Sequence, residues 1–190
     1  MNVDDADIGI RFSVNGESEI ECVVTLYKEK LLRYATAILC DYQAAEDIVQ
    51  EVFVTAYQKH KLFDGKNLSA WLYKITYNQC MNALKKRKIF YFENVSDSVS
   101  GNSAPTSSYV NDYEKDFSDN VLRALQKLKA KERALIYGRI IKGQSYEELS
   151  ALSGKSQEAI RKRYERAKKK LARYLSNIEK IEAPKSKGGA

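Results

Sequence analysis

Two long, glycine-poor stretches in which apolar residues recur at helical spacing, separated by one segment with no such period, constrain this 190-residue chain more than any other feature. A chain patterned this way buries its apolar stripes helix against helix. It is therefore expected to be all-α, with two small helical domains rather than a sheet. The break is Ser96 to Tyr109, SDSVSGNSAPTSSY, rich in Ser, Gly, Asn and Pro. Its surroundings are acidic, with Glu93, Asp97, Asp112, Glu114, Asp116 and Asp119 against Lys115 alone. This composition describes a flexible, solvated tether. The expected layout is a first domain over residues 18–92, a linker over 93–118, a second domain over 119–177 and a disordered tail over 178–190, with much of the first fifteen residues also disordered.

Charge narrows the class of partner. Lys and Arg outnumber Asp and Glu by 32 to 25, for a formal charge of +7 and a pI near 9.1, which favours a polyanion. No stretch approaches the roughly 20 apolar residues of a membrane span, and the acidic start (Asp4, Asp5, Asp7) is unlike a signal peptide. A cytoplasmic protein without membrane insertion is expected. Cys22, Cys40 and Cys80, with the single histidine His60, form neither a disulfide framework nor a closed zinc site. Buried, inert thiols are expected instead. Nucleophile-elbow, Walker, dinucleotide and zinc motifs are missing from the sequence, so neither enzyme, cofactor, metal nor small-molecule substrate is expected.

In the first block, helical patterns run from about Ser18 to Leu39, Tyr42 to His60 and Ser69 to Lys88, with the turn-forming run Phe63-Asp64-Gly65-Lys66-Asn67 before the third. On the middle helix Ile48, Val49, Val52, Phe53 and Ala56 fall on one side, and Asp47, Gln50, Glu51 and Gln58 on the other. The second face is free to bind a partner, although a merely solvated face has the same pattern. The third helix begins near Trp71 and carries Asn78, Asn82 and Lys85 at spacings of four and three, then the run Lys85 to Lys88. Amides and cations beside aromatics suit single-stranded nucleic acid, whose bases stack and whose phosphates pair with cations. Trp71 itself reads equally as core.

The second block is sharper. A helix from about Lys131 to Ile141 stops at Lys142-Gly143, and Ser145 with Glu148 forms a capping box for a short helix through Leu152. Gly154 turns the chain and Ser156 caps a long helix with the apolar stripe Ile160, Tyr164, Ala167, Leu171. Its opposite arc holds Glu158, Arg161, Lys162, Glu165, Arg166 and Lys169. Short helix, glycine turn and long basic helix describe a helix-turn-helix with its recognition helix last. Within it, Lys168 to Lys170 supply charge, and Arg163 is a candidate for an internal salt bridge.

Ala45-Glu46-Asp47-Ile48-Val49-Gln50-Glu51-Val52-Phe53 resembles the signature helix of region 2 in bacterial RNA polymerase sigma factors, and Trp71-Leu72-Tyr73-Lys74-Ile75-Thr76-Tyr77-Asn78 resembles its continuation. Gly143-Gln144-Ser145-Tyr146-Glu147-Glu148-Leu149, with Gly154, Ser156, Ile160, Arg163, Arg166, Ala167 and Leu171, resembles region 4. Having these two domains alone, the chain resembles the extracytoplasmic-function (ECF) group. The resemblance implies a factor that binds core RNA polymerase and promoter DNA, with an anti-sigma factor as a possible partner. It places Asp47, Gln50 and Glu51 against the polymerase clamp. It puts Asp64, Gly65, Lys66, Asn67, Ser69, Asn78, Asn82 and Lys85 against the minus-ten strand, where an unpaired base is captured. Ser156, Gln157, Arg161, Lys162, Glu165, Arg166 and Lys169 would face the minus-thirty-five duplex, and the acidic linker would thread polymerase channels. Four residues depart from the pattern: Leu68 replaces a usual Phe, Lys129 stands where Pro is frequent, and Ser153 and Lys155 replace apolar residues beside Gly154. On the residues alone two rivals stand beside this reading. An ordinary dimeric helix-turn-helix regulator accounts only for the second block, and a protein-interaction module accounts only for the polar face of the middle helix.

Overall fold

The computed structural model describes residues 5–94 and 119–182, and side chains over 7–88 and 120–178. Its secondary structure there is helical throughout, in two units that divide between Ser108 and Tyr109. The positions 95–118 and 183–190, which hold most of the expected linker and tail, lie outside the described residues.

The first unit contains α1 (Asp5–Val14), α2 (Gly16–Leu39), α3 (Tyr42–Lys59), a 3-10 turn (His60–Leu62) and α4 (Leu68–Asn94). Helix α2 lies at the centre and packs against α1, α3 and α4. Val23, Tyr27, Leu31, Tyr34, Ala35 and Ile38 recur at three- and four-residue steps and are buried. The chain turns from α2 to α3 at Cys40, whose φ of 52° is left-handed, and Asp41 caps α3 by accepting from the Ala44 N–H at 3.0 Å. Tyr34 and Tyr73 meet edge to face at 5.0 Å, and the Tyr73 hydroxyl donates to the Lys30 carbonyl at 3.4 Å, which locks α4 onto α2.

The expectation of disorder in the first fifteen residues is wrong over most of that length. Ile8 and Phe12, one helical turn apart, are fully buried on α1. Two apolar residues on a short segment give no visible period, yet they suffice once α2 and α4 offer a surface to cover. Helix α1 is therefore part of the first unit, although the sequence reading began that domain at residue 18. Helix α4 also outlasts its basic run and reaches Asn94.

The second unit contains α5 (Asp119–Gln126), α6 (Ala130–Ile136) continued by a π-helical turn (Tyr137–Ile141), α7 (Tyr146–Ser153) and α8 (Gln157–Glu182). Helix α5 was not singled out by the sequence, and α8 runs past residue 178, where a disordered tail was expected. The capping box is present: Ser145 Oγ accepts from the Glu148 N–H at 3.1 Å, and Glu148 accepts from the Ser145 N–H at 2.6 Å. Gly154, at φ 66°, makes the turn into α8. Lys129 shows why proline is dispensable ahead of α6. Its φ of −68° is the value a proline ring imposes, but its N–H donates to Glu132 at 3.0 Å, a bond proline cannot make.

Glu132 joins helices distant in sequence, since Lys170 Nζ of α8 also donates to it at 2.8 Å. Burial raises this carboxyl's pKa, but the Lys170 and Lys129 donors outweigh it and hold the group below its ordinary value of 4.5. A carboxyl depressed in the folded state stabilises above its unfolded pKa, and that stability disappears as pH falls through the folded value. Stability of the second unit is thus expected to decline below about pH 5, with Glu132→Gln losing on the order of 1 kcal/mol at neutral pH and flattening the acid slope. Amide-exchange protection of α6 and α8, followed against pH in both proteins, checks this. In the first unit, a Cβ at Gly16 would stand 2.4 Å from Cγ of His60, so Gly16→Ala is expected to destabilise by roughly 1–3 kcal/mol. Urea unfolding followed through Trp71 fluorescence measures the loss.

Candidate functional site

Three surfaces gather the residues singled out above, and each exists because its helix turns the opposite stripe inward. On α3, Ala45, Ile48, Val49, Val52, Phe53 and Ala56 are buried. Asp47, Gln50 and Glu51 are therefore exposed together, with Glu46 beside them. The face continues through Val54, 56% exposed, and Tyr57, 39% exposed. The sequence reading missed these two. The signal for them was an apolar residue recurring among polar ones seven and ten positions after Asp47, where a solvated face has no need of it.

The second surface spans the turn before α4 and the outer face of α4. Asp64, Lys66 and Asn67 are exposed, Gly65 is buried and Ser69 is half-buried. Two of these side chains shape the turn itself. Asp64 Oδ1 accepts from the Lys66 N–H at 3.1 Å, and Asn67 Oδ1 accepts from the Ala70 N–H at 2.8 Å, capping α4. Gly65 has φ 77°, a conformation that favours glycine. Asn78, Asn82 and Lys85 are all exposed along α4. Trp71 is half-buried, stacked on Phe63 at 5.0 Å and near Phe12 at 6.4 Å, so it fills the structure beneath the turn. Leu68, the departure from the family's Phe, is fully buried. Arg87 is held by Asp41 at 3.0 Å, tying α4 to the cap of α3. Cys80 is buried, which pushes its thiol up to about 12 and suppresses the reactive thiolate; Cys22 and Cys40 form no disulfide and are only half-buried.

The third surface is α8. Ile160, Tyr164 and Ala167 are buried, while Ser156, Gln157, Arg161, Lys162, Glu165, Arg166 and Lys169 are exposed. Glu158, Arg161, Lys162, Glu165 and Arg166 surround one shallow depression on the outer face. Lys162 pairs with Glu158 at 2.6 Å, and Arg166 Nε donates to the Lys162 carbonyl at 3.3 Å. Ser156 Oγ accepts from the Ala159 N–H at 3.4 Å, a long cap for α8. The inward salt bridge is made by Lys170 to Glu132, not by Arg163. Under α8, Arg139 lies over the Tyr146 ring at 4.6 Å and the Tyr164 ring at 6.0 Å, and donates to the Gln144 carbonyl, joining the turn to both helices.

A short helix capped by Ser145, a glycine turn and a long helix with a polar, cation-rich outer face form a helix-turn-helix. Residues 118–171, which contain it, match the family model for sigma-70 region 4, and residues 23–89 match that for sigma-70 region 2. The chain belongs to the sigma-70 family, in the ECF group. Among its relatives, SigW of Bacillus subtilis, an ECF sigma factor, is 35% identical over 71 residues, which are 37% of this chain and 38% of SigW. The sigma factor CarQ of Myxococcus xanthus is 25% identical over 171 residues, covering 89% of this chain and 96% of CarQ. The solved structure of the sigma factor RpoE of Bartonella quintana, bound to the anti-sigma factor NepR, superposes with a TM-score of 0.68 at 26% identity, covering 84% of this chain and 98% of that one. Among the described residues of this sigma factor, no helix is long and apolar enough to cross a membrane.

Because Lys170 is tied to Glu132 across the unit and Lys169 is exposed, neighbouring lysines are expected to behave differently. Lys169→Ala should leave stability within about 0.5 kcal/mol and weaken binding to all duplex sequences alike, with a shallower salt dependence. Lys170→Ala should lower the stability of the second unit first. Thermal melts and salt-titrated DNA binding on both variants separate the two roles.

Proposed function

We propose that this ECF sigma factor docks on core RNA polymerase through the Asp47, Gln50 and Glu51 face of α3 and directs initiation by reading two promoter elements. The 64–69 turn and the Asn78, Asn82, Lys85 face of α4 take the unpaired minus-ten strand. The Arg161, Lys162, Glu165, Arg166 and Lys169 face of α8 enters the minus-thirty-five major groove, with Ser156 and Gln157 at the phosphates. The observation that carries this is the pairing, in one chain, of an exposed acidic and amide face on α3 with an exposed cationic face on α8. One suits a protein partner, the other duplex DNA.

The α8 surface suits base reading by its chemistry. An arginine such as Arg161 or Arg166 can donate twice to a guanine edge, and Glu165 can accept from a cytosine amino group. Arg161→Ala or Arg166→Ala then relaxes base preference rather than abolishing binding. The residues act by binding and positioning, so the protein works as an initiation factor, without a cofactor or small-molecule substrate, in the cytoplasm beside its polymerase. RpoE's complex with NepR supports a protein inhibitor as a further partner here. Residues 18–92, with α1 packed against them, serve as the polymerase and minus-ten domain, 119–177 as the minus-thirty-five domain, and the acidic stretch between them as the tether.

Transcription with purified core polymerase on genomic DNA tests the function, since only a sigma factor confers new promoter-specific starts. Asp47→Arg is expected to lower core binding by several kcal/mol while leaving the fold intact, because the residue is exposed opposite the buried stripe. Asn78→Ala is expected to weaken holoenzyme binding to a promoter pre-melted at the minus-ten element and to leave fully paired DNA nearly unaffected, since a base is read by its edge only after unstacking. Equal losses on both templates remove Asn78 from base capture.

A further inference from the structure

Residues 1–22 precede the segment that matches region 2, yet α1 lies directly against the turn assigned above to the minus-ten base. A Cβ placed on Gly9 would come within 2.9 Å of the Gly65 carbonyl oxygen and 3.6 Å of Phe63 and Leu68. From the other side, a Cβ on Gly65 would meet Ser13 Oγ at 3.4 Å and the Ile10 Cα at 3.6 Å. Gly9 thus lets the α1 backbone approach the Gly65 carbonyl more closely than a Cβ allows, whereas Gly65 has ordinary contact room and is favoured by its positive φ. Phe12 fixes the approach. Its ring lies 6.0 Å from His60 and 6.4 Å from Trp71, on either side of the turn in sequence, and Arg11 reaches Glu19 of α2 at 3.8 Å.

We propose that α1 is a positioning element for base capture: Gly9, seated on the Gly65 carbonyl, sets the height and tilt of the turn that presents Lys66 and Asn67. This rests on the assignment of the 64–69 turn to the unpaired minus-ten base. The route is short, because the Gly65 carbonyl belongs to the peptide that continues into Lys66. The Lys66 N–H is in turn held by Asp64, so a push on that carbonyl moves the turn as a unit. Hydrogen bonds to a base edge weaken steeply with such displacement.

The test uses holoenzyme assembled from the full chain and core polymerase, on promoters pre-melted at the minus-ten element, with each unpaired position either intact or abasic. The ratio of affinities, intact over abasic, measures base capture. Because both values come from one preparation, a partly inactive sample cancels. Wild type is expected to show about a tenfold ratio at one position, the size of a single base-specific contact. Gly9→Ala is expected to reduce it to about threefold or less, with core binding and minus-thirty-five binding unchanged. Gly9→Ala sets better helix propensity against a Cβ 2.9 Å from the Gly65 carbonyl oxygen, so its stability decides nothing by itself; a purely structural role for Gly9 leaves the ratio intact whichever way stability moves. An unchanged ratio in Gly9→Ala overturns the proposal alone. If that variant does not fold, Ser13→Leu, which crowds Gly65 from one turn further along α1, carries the same expectation and the same refutation. A wild-type ratio near one at every position overturns the base-capture assignment itself, and the role of α1 with it.

Discussion

The burial of α2 on three sides is the constraint from which the first unit follows. Its apolar residues are distributed widely around the helix, so α1, α3 and α4 must each lay a stripe against it. Each neighbour then has one face committed and one left over. The leftover face of α3 is acidic and amide-rich, and that of α4 bears Asn78, Asn82 and Lys85. The surface proposed for partners is what remains after a core has formed, so its residues are tolerant of change for folding.

The second unit solves the same problem with fewer residues. A short helix-turn-helix has little apolar area to bury, and it adds specific polar ties: Glu132 between the start of α6 and Lys170 of α8, and Arg139 between Tyr146 and Tyr164. These ties hold α8 by its inner side. The Arg161 to Lys169 arc, which pairs mainly with itself, stays outward with its charge available to phosphate and base edges.

Glycines and caps mark where the chain changes direction, and in the first unit they also shape the turn proposed to hold the minus-ten base. The turn before α4 is shaped by Asp64, Gly65 and Asn67 through their own short-range bonds, and α1 closes beneath it. Residues that look available for a ligand when read along the sequence are here engaged in holding a loop. The exposed atoms that remain for a partner are fewer than the exposed residues.

By itself the sequence determined the helical class, the two-unit layout, most helix starts and stops, and the exposed sides of α3 and α8. Those properties follow from period, capping and turn chemistry, which act within a few residues: Ser145 with Glu148, Gly154, and the Ile160 to Ala167 stripe could be read directly. Tertiary structure alone decided the rest. Helix α1 was illegible because Ile8 and Phe12 have meaning only against surfaces supplied by α2, His60 and Trp71. Lys170 was indistinguishable from Lys169 until Glu132, 38 residues away, came within 2.8 Å. Arg87 was one cation in a basic run until Asp41 took it. In each case the deciding partner is remote in sequence, and no local pattern encodes which of several equivalent side chains packing will turn inward.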